Sequence, residues 1–249
     1  MKYLVSVISL LVISLANTSA QDAKAIVKKA NDKMEGEKSS YIEMKMTIQR
    51  PTYERTIEFK SWTEGTKNSL TYITAPAQEK GQSFMKKGNE MWSWNPKISR
   101  LIKLPPSMMS QGWMGSDYTN DDILKESSIV VDYSHKIIGE EDIDGHSCYK
   151  IEMIPNPDAA VVWGKVLQWI SKKDFLQMKT EYFDEDNYLV RTQLAYNIKE
   201  MDGRIIPTRL EIIPEDKDNQ KTVVEILKIT FNIPIQDNFF SQQNMKRIR

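Results

Sequence analysis

The sequence predicts a mainly β protein of the α+β class, with a single curled antiparallel sheet of about eleven strands wrapped around an N-terminal helix. Three observations predict it. Apolar and polar residues alternate with period two through most of the chain, as in Ile42, Met44, Met46 and Ile48 against Glu43, Lys45, Thr47 and Gln49. Turn-forming pairs recur at short intervals. Only one long stretch, near the N-terminus, has helical spacing.

The elements follow in order. Residues 1–20 read as a secretory signal peptide. Lys2 supplies the charge, Leu4 to Leu15 is almost continuously apolar, and Thr18-Ser19-Ala20 offers small residues for cleavage after Ala20. Residues 21–249 then form the mature domain, expected in a bacterial periplasm. Cys148 is the lone cysteine, so an intramolecular disulfide is excluded, and no Asn-x-Ser/Thr site follows Ala20.

From Asp22 to Gly36, Ala23, Ile26, Val27, Ala30 and Met34 fall at helical spacing with lysines opposite, and Gly36 is a natural stop. Strands follow. Tyr53, Ile57 and Phe59 alternate with polar neighbours, so Ile57 and Phe59 are expected to point the same way as Met44 and Met46. Lys87-Gly88-Asn89 and Asn95-Pro96 bound a short strand carrying Trp92 and Trp94 on one face. Further turns stand at Asp144-Gly145, Asp184 to Asn187, Asp202-Gly203 and Asp216 to Asn219, with strand-like runs between them. Thr119 or Asn120 can open a second helical patch, with Asp121 and Asp122 in its first turn. Ser241 can cap a final turn through Lys246.

Chemistry is scarce. The chain has 34 basic and 34 acidic residues, and a neutral surface argues against nucleic-acid binding. There is no Gly-x-Ser-x-Gly, no phosphate-cradling glycine loop and no His-Glu-x-x-His, so no enzyme is expected. Asp142-Ile143-Asp144-Gly145 lacks the spaced acidic ligands and closing Glu of a calcium loop and reads as a hairpin turn. Asp117, Asp121 and Asp122 read as helix caps before metal ligands, and neither metal nor cofactor is expected. Lys246, Arg247 and Arg249 read as a solvated basic tail.

The segment from Met91 to Asp122 stands out. It holds four Met and three Trp, yet Pro105-Pro106, Gly112 and Gly115 forbid a long regular element. Apolar side chains therefore sit on a loop: Met108, Met109, Trp113 and Met114. Either the loop folds back as a cap on the core, or it is an adaptable lid over a lipid-like ligand, a role that Met-rich surfaces suit.

Several motifs carry a family resemblance. They are the signal peptide, Met91-Trp92-Ser93-Trp94-Asn95-Pro96, Arg100 to Pro105, Gly112 to Asp122 and Phe240 to Arg247. The chain resembles the outer-membrane lipoprotein-sorting proteins of the LolA/LolB-like superfamily, in its LolA-like branch. The resemblance implies a half-barrel closed by helices whose concave apolar face binds acyl chains. It implies a periplasmic carrier that takes a lipidated protein or a lipid from an inner-membrane donor complex and delivers it to an outer-membrane acceptor. An alternative is a lipid-binding sensor or accessory module for a membrane partner such as a lipid-exporting pump. The expected ligand-binding residues are Met44, Met46, Ile57, Phe59, Trp92 and Trp94 in the cavity, with Met108, Met109, Trp113 and Met114 in the lid. No arginine aligns with the gating arginine of the well-studied carrier.

Overall fold

The alternating segments pair into one unclosed antiparallel sheet of thirteen strands in the computed structural model. The structure describes residues 22–34, 38–65, 67–88, 90–108, 111–120, 129–157, 159 and 161–249. The signal segment, Gly36, Met109, Asp121 and Asp122 lie outside them. The strands are β1 (Ser39–Arg50), β2 (Tyr53–Glu64), β3 (Asn68–Ala75), β4 (Ser83–Lys87), β5 (Glu90–Asn95), β6 (Arg100–Lys103) and β7 (Tyr133–Ile143). They continue with β8 (His146–Pro155), β9 (Lys165–Ser171), β10 (Gln177–Phe183), β11 (Leu189–Met201), β12 (Arg204–Pro214) and β13 (Lys221–Phe231).

The order across the sheet is β6-β5-β4-β3-β2-β1-β13-β12-β11-β10-β9-β8-β7. Two meanders, β1 to β6 and β7 to β13, are therefore joined where the first strand meets the last. The expected count of about eleven was low. Asn68–Ala75 escaped notice because its large residues Leu70 and Tyr72 point away from the face that its neighbours' alternation marks as apolar.

Short hairpins set the register. Asp144-Gly145 and Asp202-Gly203 each place both residues at positive φ, the two-residue turn that matches strand twist. A twisted sheet of this many strands curls rather than staying flat.

Helix α1 (residues 22–34) defines the inner face. Ala23, Val27 and Ala30 are fully buried and Ile26 is half-buried, packed on Tyr133, Ile151, Met153, Val166 and Ile170 of β7 to β9. Met34, in its last turn, reaches the seam between the meanders and packs near Ile42 of β1, Ile206 of β12 and Ile229 of β13. The Arg204 guanidinium donates to the carbonyl of Asp32 at 3.0 Å. That satisfies one of the carbonyls every helix C-terminus leaves open.

The outer face of β3 to β5 is covered as well. Leu70, Met85, Trp92 and Trp94 pack against Ile235, Phe239, Phe240 and Met245 of the C-terminal segment. Its last turn is α2 (Gln242–Met245), capped by the Ser241 hydroxyl, which accepts from the backbone N–H of Asn244.

Candidate functional site

Strand pairing arranges the inner face of β1 to β4 in cross-strand rows. The first row is Ser40, Thr63, Ser69 and Lys86. The second is Ile42, Ser61, Thr71 and Phe84. The third is Met44, Phe59 and Ile73, and the fourth is Met46 and Ile57. Rows lie about 7 Å apart, because side chains two residues apart share a face. The wall thus runs from fully polar to fully apolar over two steps. Within the polar rows the Ser40 and Thr63 hydroxyls are 2.6 Å apart, and those of Ser61 and Thr71 are 3.0 Å apart.

A cavity of about 270 Å³ lies over these rows. Met44, Met46, Phe59, Leu210, Val224 and Ile226 form its apolar side, and Met34 of α1 closes one wall. Trp113 and Tyr118 come down from the loop after β6 to form its roof.

The roof is a tight fold of chain. Gly112 pairs with Thr119, and the Trp113 N–H donates to the Tyr118 carbonyl at 2.6 Å. A Cβ on Gly112 would sit 2.6 Å from the Ser116 carbonyl oxygen, so only glycine fits there. Trp113 is buried, meeting the Phe59 and Phe84 rings edge-on at 5.5 and 5.7 Å. Its indole N–H has no hydrogen-bond partner among the described residues, a buried donor left for an acceptor to satisfy.

Three arginines from the sheet hold this roof down. Arg50, at the end of β1, donates two bonds to the Asp117 carboxylate at 3.0 and 3.1 Å and one to the Gly115 carbonyl at 3.0 Å. The Thr222 hydroxyl donates to the same carboxylate at 2.6 Å and accepts from the Asp117 N–H at 3.0 Å. Arg55 donates to the Met114 carbonyl at 3.1 Å and pairs with Glu79. Arg191 donates to the Asp117 carbonyl at 2.9 Å while stacked over Tyr182 and Trp163. Asp117, expected as a helix cap, is instead the anchor of the roof.

Solved structures share this architecture. A DUF1329-family protein from Desulfovibrio piger is 21% identical with a TM-score of 0.82, over 91% of this chain and 99% of that one. A LolA-superfamily protein from Nitrosomonas europaea is 25% identical with a TM-score of 0.76, over 89% and 98%. A domain assigned to outer membrane lipoprotein sorting from Vibrio parahaemolyticus is 19% identical with a TM-score of 0.79, over 92% and 100%. A family model described as "-like: Uncharacterized protein" matches residues 65–247. A comparison with curated proteins finds no match. The chain belongs to the LolA-like family.

Set on this LolA-like sheet, the residues expected from sequence divide into three groups. Met44, Met46, Ile57, Phe59 and Trp113 meet in one cluster, and Met114 packs at its margin. Of these, Met44, Met46, Phe59 and Trp113 line the cavity itself. Met108 is half-buried at the start of the roof segment, where its carbonyl accepts from the Asn120 amide at 2.9 Å. Met109 lies outside the described residues.

Trp92 and Trp94 lie on the other side of the sheet, under the C-terminal segment, with the Lys246 ammonium 5.3 Å from the Trp94 ring. Strand parity is the reason. On β5 the inward residues are Met91 and Ser93, opposite Lys86 and Phe84.

The sequence reading missed Lys86 and the hydroxyl rows. Their signal was the alternation Phe84–Lys86, which puts a lysine where an inward apolar residue is expected. The clamping arginines gave no signal at all, because Arg50 and Asp117 are 67 residues apart.

Away from the cavity, burial holds the Cys148 thiol up at about 11 and so keeps it protonated and inert. Burial also pushes the Glu211 carboxyl up, but hydrogen bonds from Lys221 and Arg209 outweigh it and hold the group below the usual carboxylate range. Among the described residues, no cluster of His, Cys, Asp and Glu could hold a metal ion, and no helix is long and apolar enough to cross a membrane.

Proposed function

We propose that this protein is a periplasmic carrier that binds the acyl part of a lipoprotein or lipid in the inner-face cavity and moves it towards the outer membrane. The observation that carries the reading is the roofed cavity whose wall grades from polar to apolar along neighbouring strands. An acyl chain gains roughly 0.8 kcal/mol for each buried CH₂, so such a cavity competes with a bilayer without nucleotide chemistry in the carrier itself. The likeness to a domain assigned to outer membrane lipoprotein sorting supports the same reading.

The cavity volume, about 270 Å³, falls at the lower end of the range of ligand pockets, roughly 300–1,000 Å³. A full acyl chain therefore requires the Trp113 roof to lift. The arginine contacts that hold the roof connect it to β1, β2 and β11 and make its opening a discrete event.

The test is native mass spectrometry of protein prepared from a periplasmic extract, followed by titration of the delipidated protein with a fluorescent acyl probe. A co-purified acylated mass together with saturable probe binding supports the carrier reading. The absence of both would remove it.

A further inference from the structure

We propose that the β5–β6 hairpin and the C-terminal tail form one docking surface for an anionic phospholipid bilayer, so that the protein meets membrane lipid directly along this edge. The proposal goes beyond the carrier reading and stands on residues outside the cavity.

Two stretches far apart in the chain carry it. Residues 90–103 hold Lys97, Arg100 and Lys103 against the single acid Glu90, and residues 235–249 hold Lys246, Arg247 and Arg249 against the single acid Asp237. That is six cations and two carboxylates, a local net charge of +4, in a chain with 34 basic and 34 acidic residues. Lys103 pairs with Glu90. The other five cations are exposed and make no ion pair among the described residues. Unpaired charge of one sign does nothing for the fold and attracts an anionic partner.

Packing joins the two stretches into one surface. Leu101 of β6 and Ile248 of the tail share an apolar cluster with Trp92 and Trp94. The Lys246 ammonium lies 5.3 Å from the Trp94 ring, and the Lys103 ammonium 5.9 Å from the Trp92 ring. The tail is fixed in place. Met245 is buried, and its carbonyl accepts from the Ser83 hydroxyl at 2.8 Å. β6 is the outermost strand of an unclosed sheet, so among the described residues no further strand covers this edge.

Lipid suits this surface better than an acidic protein, because the surface offers more than charge. Ile98, at the hairpin tip between Lys97 and Arg100, is 64% exposed. An apolar side chain held out between two cations fits the boundary of a bilayer, where phosphates meet the cations and the apolar tip leaves water. Trp92 and Trp94, half-buried beside lysines, are the residue type concentrated at that boundary. The chain path then links docking to the cavity. β6 runs into the roof segment, and Met108 stands five residues after Lys103, within about 18 Å even at full extension. A molecule docked by this edge holds the start of the roof close to the bilayer.

The experiment is co-sedimentation of the protein with vesicles of phosphatidylcholine alone, or of phosphatidylcholine and phosphatidylglycerol in equal parts, at low and at high salt. Wild-type affinity for the anionic vesicles is expected to be about tenfold or more above that for the neutral ones and to fall with salt. K97Q/R100Q and K246Q/R247Q/R249Q should each remove most of this preference. K136Q/K199Q/K217Q, which removes three exposed lysines elsewhere on the molecule, should keep it. Equal wild-type affinity for both vesicles, no sedimentation with either, or the same loss in the K136Q/K199Q/K217Q control overturns the surface. Binding to poly-glutamate without binding to vesicles identifies an acidic protein as the partner and overturns it as well. Should a charge variant fail to fold by circular dichroism, the wild-type comparison and the control decide. A fluorescent acyl probe titrated into the same variants separates this proposal from the carrier reading. Lost vesicle binding with unchanged probe binding is the expected result for the charge variants, whereas a wild type that binds anionic vesicles and no probe loses the carrier reading and keeps the docking surface.

Discussion

Arg50 and Asp117 form a two-pronged ion pair, at 3.0 and 3.1 Å, that ties the end of β1 to the roof of the cavity. Their side chains are 12% and 6% exposed. Breaking so buried a pair strands a charge and costs about 3 kcal/mol or more. Arg50→Ala should therefore lower the melting temperature, and it should loosen residues 113–118 in hydrogen exchange more than the sheet beneath them. The solvent-exposed pair Lys28–Asp32 is the control. Lys28→Ala should change stability by no more than about 0.5 kcal/mol. Equal protection of the roof in wild type and Arg50→Ala would show that the clamp does not hold it.

The two faces of the sheet should answer differently to a buried charge. Met44→Asp puts a carboxylate into the cavity, where water can reach it. Probe binding should fall about tenfold or more while the fold survives. Trp94→Asp puts one under the C-terminal segment, against Leu70, Phe240 and Met245. It should release that segment, expose an apolar patch and promote aggregation. Limited proteolysis near residue 240, run beside the binding assay, separates the two outcomes.

Gly112→Ala should strain the roof, because the added Cβ meets the Ser116 carbonyl at 2.6 Å and that atom is backbone. A cost of roughly 1–3 kcal/mol is expected. Thermal melting reads the total, and hydrogen exchange should place the loosening within residues 111–120. An unchanged melting temperature would mean that the turn relaxes freely.

His135 should make stability fall in mild acid. Burial lowers its pKa below 6.5, the hydrogen bond to the Ile129 carbonyl opposes that, and the positive charge of Lys24 adds to the lowering. The folded state thus resists a proton that the unfolded chain accepts. The sign follows: stability is full above pH 6.5 and declines as pH falls below it, levelling once pH passes the folded pKa. Melting temperature measured from pH 7.5 to 5 should slope downward in the wild type and be flatter in His135→Gln. Parallel slopes would assign the acid sensitivity to other groups.

The chain's own pattern settled its local structure. Alternation marked β1 and β2 and set Met44, Met46, Ile57 and Phe59 on a common face, because side chains of a strand alternate and a tight hairpin leaves one register. Asp144-Gly145 and Asp202-Gly203 marked hairpins through a requirement for positive φ that few residues meet. Ser241 announced the last helical turn.

Which face of each strand looks inward was decided only by tertiary structure. Met91 and Trp92 are neighbours on β5, yet Met91 packs beside Trp113 and Trp92 beside Phe240. Both faces of β3 to β5 are covered, one by the roof and one by the C-terminal segment, so apolar residues occur on both and alternation no longer names the inner one. Lys86 reads as a surface residue until pairing sets it in a row with Ser69, Thr63 and Ser40. Arg50 and Asp117 meet only because the sheet brings the first strand beneath a loop 67 residues later. Periodicity acts over a few residues. The cavity is made from contacts between strands far apart in the chain, and its inward face is chosen by what covers the other one.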